Sequence, residues 1–225
     1  MQLAKPRLDI GLSTNDPAPM LAFWQGEAGA VFDHVLPIRR GHDQHRHDVL
    51  GSVLKINVHA TPLPATPPSG YRELVIARGG LTTPRTLADP EGNRVSLVPP
   101  GHDGVTQVAV RLGVRDLAAH RRFYAEALGL PEERPGAFRA GESLILLAED
   151  PDAPADAQMQ GQGWRYITFQ VFKVDDEHAA VLAKGGREAL APVTLGSTAR
   201  ISMVRDPDGN WIELSQRASI VGSLT

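Results

Sequence analysis

A five-residue turn written twice constrains this chain more than any other feature. Asp89-Pro90-Glu91-Gly92-Asn93 and Asp206-Pro207-Asp208-Gly209-Asn210 both read as tight turns. Proline pre-sets φ, glycine accepts positive φ, and Asp and Asn side chains hydrogen-bond nearby backbone. Each turn is followed by an alternating strand, Arg94-Val95-Ser96-Leu97 and Trp211-Ile212-Glu213-Leu214, whose successive side chains point to opposite faces. Ser96 falls where Glu213 falls, and Trp211 shares a face with Glu213. A strand glutamate either faces water or points into a concave sheet, where it needs a metal, a cation or a proton to offset its desolvation. Both readings are open on pattern alone.

The starts of the two halves repeat as well. Leu8-Asp9-Ile10-Gly11-Leu12 followed by Phe23-Trp24 parallels Thr106-Gln107-Val108-Ala109-Val110 followed by Phe123-Tyr124, in each case a short strand leading to a helix. Asn15 or Asp16 can cap the first helix with Pro17 behind it, and Asp116 caps its counterpart. Thr61–Gly70, with four prolines, is a linker, and Gly79-Gly80 stands where a helix is expected in the second quarter. Residues 39–48 read as a polar, histidine-rich connection. The chain is therefore four units of strand, helix and further strands, the second abbreviated. Pro99-Pro100-Gly101 marks a boundary between domains at 1–100 and 101–225.

Composition narrows the partners. Lysine plus arginine total 23 against 26 acidic residues, which leaves no basic field for nucleic acid or an anionic membrane. Cysteine is absent, so disulfides, thiol nucleophiles and cysteine metal sites are excluded, and a reducing, cytoplasmic location is expected. No signal peptide or membrane span is expected either. The sequence has no Gly-x-Ser-x-Gly elbow, no phosphate-cradling loop and no dinucleotide fingerprint, so no nucleotide cofactor is expected.

In order along the chain, Gln107–Val110, Phe123-Tyr124-Ala125-Glu126-Ala127-Leu128-Gly129-Leu130, the strand from Trp164 to Phe169 and the segment Asp206–Leu214 resemble the vicinal oxygen chelate superfamily. That family includes glyoxalase I, extradiol dioxygenases and bleomycin resistance proteins. The resemblance implies an α+β fold in which four βαβββ-type units pair into two glyoxalase-like domains with cup-shaped mixed sheets. Carried over, it gives the C-terminal cup Gln107, Tyr166 and Glu213, with Ile145 where a fourth ligand can stand. The N-terminal cup receives Asp9, Lys55, Glu73 and Ser96.

The resemblance implies a divalent metal (Zn, Ni, Mn or Fe) on Gln107 and Glu213. Tyr166 stands where histidine is commonest, and a neutral phenol is a poor ligand. His45 and His47, sharing a face if extended, are the alternative metal pair. The expected function is a small-molecule lyase or isomerase working beside a carbonyl or enolate. Glu213 and Tyr166 are its expected catalytic residues, and Asp9, Lys55, Glu73 and Trp211 its expected substrate contacts. A ligand-sequestering protein without chemistry is the alternative. An extradiol dioxygenase ranks third, because two histidines and a carboxylate cannot be drawn from Gln107, Tyr166 and Glu213. A homodimer is left open.

Overall fold

The computed structural model describes residues 1–224. Unit one comprises β1 (Asp9–Thr14), α1 (Pro17–Gly26), β2 (Val31–Arg39), β3 (His42–Val49) and β4 (Ser52–His59). Unit two has β5 (Tyr71–Ala77), β6 (Arg85–Ala88) and β7 (Arg94–Val98), with a loop in place of the helix. Unit three has β8 (Val108–Val114), α2 (Leu117–Arg122) running on through a π-helical turn, β9 (Glu132–Arg134), β10 (Ala137–Ala140) and β11 (Ser143–Glu149). Unit four has β12 (Gly163–Gln170), α3 (Val174–Ala183), β13 (Arg187–Leu195), β14 (Ala199–Arg205) and β15 (Trp211–Arg217), followed by the short α4 (Ala218–Val221). This is the expected α+β architecture of four units with the second abbreviated. No helix among the described residues is long and apolar enough to cross a membrane.

The units pair differently from the expected division at residue 100. The eight-stranded sheet runs β13-β14-β15-β12-β1-β4-β3-β2 and joins units one and four. The seven-stranded sheet runs β6-β7-β5-β8-β11-β10-β9 and joins units two and three. Neither half of the chain builds a sheet by itself, because β1 pairs antiparallel with β12 and β5 antiparallel with β8. The linkers explain this. Pro62, Pro64, Pro67 and Pro68 hold 61–70 extended, a conformation that advances ~3.1 Å per residue, so the chain travels to the second sheet instead of folding back on β4. The 150–162 linker brings it back. Arg165, 1% exposed, ties the two linkers together by donating to the carbonyls of Pro67 (3.0 Å) and Gln158 (3.2 Å).

One apolar core lies behind both sheets. Ile10, Leu12, Leu54, Ile56, Ile167, Phe169, Ile212 and Leu214 enter it from the larger sheet, and Leu74, Val95, Val110 and Ile145 from the smaller. Met20, Phe23 and Trp24 of α1 pack on it. Ile145 is therefore a core residue, one register step away from the concave face. The repeated turns lock this arrangement. Asp206 accepts from the Asn210 amide nitrogen (2.8 Å) and side chain (2.9 Å), while Asp89 accepts from Asn93 in the same way. Gly209 and Gly92 take φ of 84° and 82°, which strains any residue with a Cβ. Each turn also holds a helix of the preceding unit. Trp24 Nε1 donates to Asp89 (3.2 Å), and His120 Nε2 lies 3.5 Å from both Asp206 and Asp208.

Residues 42–49, expected within a connection, form strand β3. The segment is polar because Gln44 and Arg46 face the concave side of the sheet, and strand alternation puts His45 and His47 on the other side.

Candidate functional site in the larger cup

Strand alternation carries Gly11 and Ser13 (β1), Gln44 and Arg46 (β3), Lys55 and Asn57 (β4), Tyr166, Thr168 and Gln170 (β12), and Glu213 and Ser215 (β15) to the concave face of the eight-stranded sheet. They enclose a cavity of about 510 Å³, lined among others by Arg46, Lys55, Asn57, Tyr166, Glu213 and Arg217. The volume suits a small molecule.

At its floor Lys55 Nζ lies 2.6 Å from Glu213 Oε2 and 2.6 Å from Thr168 Oγ1. The Thr168 hydroxyl lies 2.6 Å from the same carboxylate oxygen. Lys55 is 4% exposed and Glu213 9%. Burial pushes the Lys55 ammonium below its ordinary value, and the negative charges of Glu213 and Asp9 pull it part of the way back. The ammonium also lies 5.1 Å from the centre of the Tyr166 ring, a cation–π distance. Oε1 of Glu213 receives no hydrogen bond among the described residues and is free to act.

Tyr166 is the second chemical group of the floor. Its oxygen accepts from Gln44 Nε2 and Asn57 Nδ2, each at 3.3 Å, and its own proton has no protein acceptor among the described residues. Burial raises its pKa far above the ordinary phenol value, reinforced by the charge of Glu213. The phenol therefore stays neutral and keeps a proton to donate. Gln44 is itself held by Arg46 Nη1 at 2.7 Å, and Asn57 is anchored on the Leu12 carbonyl at 2.9 Å.

The residues singled out from sequence fall into three places. Lys55, Tyr166 and Glu213 meet in the larger cup. Asp9 lies at its edge, fully buried, with both oxygens occupied by Lys5, the Val53 amide and Gln170. It anchors strands and does not line the cavity, so it is not placed to touch substrate. Trp211 shares the Glu213 face but donates Nε1 to the Ala157 carbonyl (2.6 Å) and stacks under Arg205 at 4.2 Å. It holds the 150–162 linker.

Glu73 belongs to the other sheet, where Ser96 donates to it at 2.6 Å and Arg111 lies at 3.0 Å. Val75, Ala77, Val98, Val105, Ala109, Leu144 and Leu146 form an apolar cluster in that sheet, and Glu73, Ser96 and Arg111 line a separate cavity of about 490 Å³. Gln107 precedes β8 in the same sheet, so it cannot share a metal with Glu213. His45 and His47 point away from the cup, and His47 is buried against Phe32 and Gln25.

Thr168, Gln44, Arg46 and Arg217 join the site without having been expected there, and Asn57 joins it from the Lys55 face. Their signal is periodicity: Thr168 stands two places beyond Tyr166, Asn57 two beyond Lys55, and Arg217 four beyond Glu213.

The donor set around Glu213 does not fit a divalent metal. Its neighbours offer an ammonium, a hydroxyl and a phenol, and a cation already sits on Oε2. No group of three or more His, Cys, Asp or Glu among the described residues is arranged to hold an ion.

The fold and site together define a class: a four-unit α+β protein with two curved mixed sheets, one of which closes over a buried polar cup. Residues 105–214 match the model described as the Glyoxalase/Bleomycin resistance protein/Dioxygenase superfamily. That segment of the chain belongs to the superfamily. It is similar over 97% of its length, and 97% of the other chain, to a glyoxalase I mutant from Zea mays, at 14% identity and a TM-score of 0.74. Glyoxalase I from Zea mays itself aligns over 96% of this chain and 95% of its own, at 14% identity and a TM-score of 0.72. A putative dioxygenase from Bacillus subtilis aligns over 96% and 85%, at 12% identity and 0.68. Identities this low establish the fold alone. No curated protein matches the sequence.

Proposed function

We propose that the protein is a small-molecule enzyme, a lyase or isomerase, that moves a proton beside a carbonyl group. The observation that carries this reading is the pairing, in one cavity, of a carboxylate oxygen with no hydrogen bond and a neutral phenol with an unspent proton. Glu213 Oε1 takes the proton from the carbon next to the carbonyl. The electron pair moves to the carbonyl oxygen, which accepts hydrogen bonds from the Tyr166 hydroxyl and the Lys55 ammonium as it becomes an enolate oxygen. Donors fixed in place before charge develops stabilise it without reorganisation. With a 2-hydroxy carbonyl substrate the enolate oxygen takes the Tyr166 proton, the hydroxyl gives one back to Tyr166, and return of the abstracted proton to the former carbonyl carbon isomerises the substrate; departure of a leaving group from the carbon on the other side of the α-carbon makes the reaction a lyase step. Thr168 holds Glu213 so that Oε1, and not Oε2, faces the cavity.

The experiment is proton exchange in D₂O, followed by NMR over a panel of 2-oxo and 2-hydroxy carbonyl compounds. Wild-type protein should exchange the α-proton of at least one compound. Glu213→Gln should slow that exchange by ~10² or more, and Tyr166→Phe by ~10² if the phenol donates to the oxyanion. Full exchange by Glu213→Gln would sink the assignment.

A second reading, a protein that holds a small ligand without chemistry, is favoured by the internal neutralisation of Glu213 by Lys55. It predicts tight binding with no exchange of any compound in the panel.

A further inference from the structure

The lining of the larger cup is out of charge balance. Arg39, Arg46, Lys55 and Arg217 line the cavity, and Glu213 is the one carboxylate among the described residues that does. Lys55 is committed to Glu213. Asp9, whose field reaches the floor, has both oxygens occupied.

Two of the remaining cations make no ion pair among the described residues, although the charges of Glu213 and Asp9 reach Arg217 from a distance. Arg46 is 5% exposed, and its single side-chain hydrogen bond among the described residues goes to Gln44 Oε1. Arg217 lines the same cavity, and its Nε is enclosed with no hydrogen-bond partner. Burial, and then the positive charge of Arg46, push the Arg217 guanidinium below its ordinary range, and the charges of Glu213 and Asp9 offset this only in part. Two guanidinium groups that repel each other, Arg46 buried and Arg217 half-buried, are costly unless an anion joins them. A guanidinium presents a planar fork that matches the two oxygens of a carboxylate.

Apolar side chains supply part of the remaining lining: Leu36, Ile38, Met159, Leu195, Ile201 and Met203. The cavity thus has a cationic patch, a reactive floor and an apolar wall. We propose that Arg46 and Arg217 form a carboxylate-binding subsite, and that the substrate is a small monocarboxylate bearing an apolar group, its carbonyl turned to Tyr166 and Glu213. The substrate class rests on the reaction proposed above; the subsite stands on the arginines alone. A phosphate-like dianion fits less well, because Glu213 lies in the same lining.

Calorimetric titration with phenylacetate and its uncharged isostere phenylacetamide tests the subsite. Phenylacetate should bind wild-type protein at least ~10-fold more tightly than phenylacetamide, the ratio that loss of a charged hydrogen-bonding partner brings. Arg46→Met and Arg217→Met should each remove most of that preference, and Arg46→Lys should restore part of it. Should Arg46→Met fail to fold, Arg217→Met and Arg46→Lys carry the test. Glu213→Gln should keep phenylacetate binding, so loss of proton exchange in that variant and loss of anion binding in the arginine variants report on separate claims. The subsite is overturned if phenylacetamide binds as tightly as phenylacetate, if inorganic phosphate binds more tightly than either, or if the folded arginine variants keep wild-type affinity.

Discussion

Gly11 and Tyr166 face each other across the pair formed by β1 and β12, and a methyl group at position 11 would fall inside the phenol ring. The missing side chain lets the ring lie over β1 and its hydroxyl reach Gln44 and Asn57. Gly11→Ala should therefore cost ~1–3 kcal/mol of stability, as overpacking does, and should displace the hydroxyl from both amides. Urea denaturation of Gly11→Ala in the wild-type and Tyr166→Leu backgrounds checks this. The cost should shrink markedly once the ring is gone; equal costs would show that the ring is not the obstacle.

Lys55 and Glu213 should behave as a coupled buried pair. Lys55→Met strands a carboxylate that is 9% exposed, and breaking such a pair from one side costs ~3–5 kcal/mol. Adding Glu213→Leu removes the orphaned charge and should recover a large part of that loss. Guanidinium denaturation of the two single variants and the double variant gives the coupling; additive costs would mean that water already screens the pair.

His120 should make stability fall on the alkaline side. Burial works against its charge, but Asp206 and Asp208, each 3.5 Å from Nε2, and the carbonyl of Asp116 outweigh it, so its pKa rises above the ordinary 6.5. A base with a raised folded pKa contributes stability that is fully present below 6.5 and is lost as pH climbs through the higher folded value. His120→Gln should therefore cost ~1–3 kcal/mol at about pH 5.5 and less at about pH 9. A cost independent of pH would show that the imidazole is held neutral.

The acid side has an opposite device at the cavity rim. His42 and His59 stack with ring centres 4.1 Å apart. Burial, the His42 charge and Arg39 lower His59 to about 4, while burial lowers His42 despite the hydrogen bond from its ring to Asn57. Bases with depressed folded pKa values contribute nothing adverse above 6.5 and lose stability as pH falls through the window down to about 4. His59→Phe, which keeps the stack and removes one titrating ring, should flatten the fall in melting temperature between about pH 6.5 and pH 4. An unchanged slope would place the acid sensitivity elsewhere.

The repeat was legible because its turns need particular residues: glycine for positive φ, and an Asp whose oxygens close the loop on Asn. Lys55 lines the cavity with Asn57, two residues on, as strand alternation requires. What could not be read was its partner. Partner choice depends on which sheet a strand joins, and local pattern is silent about that. The prolines of 61–70 carried the clue, since an extended linker forbids the hairpin return that a single N-terminal sheet requires. Strand β3 was mistaken for a connection because its inward residues, Gln44 and Arg46, serve a polar cavity; hydrophobic alternation marks a strand only where the buried face is oily.

Lys55 and Glu213 stand 158 residues apart, on strands of opposite halves of the chain. As the chain leaves the ribosome, β1 and β4 must therefore wait for almost the entire remainder before their neighbours β12 and β15 exist. Until then an ammonium destined for burial has no anion, and β1 presents an open edge that any extended segment could cap. Such non-local pairing slows folding, and the waiting intermediate invites exchange of the last unit between two nascent copies.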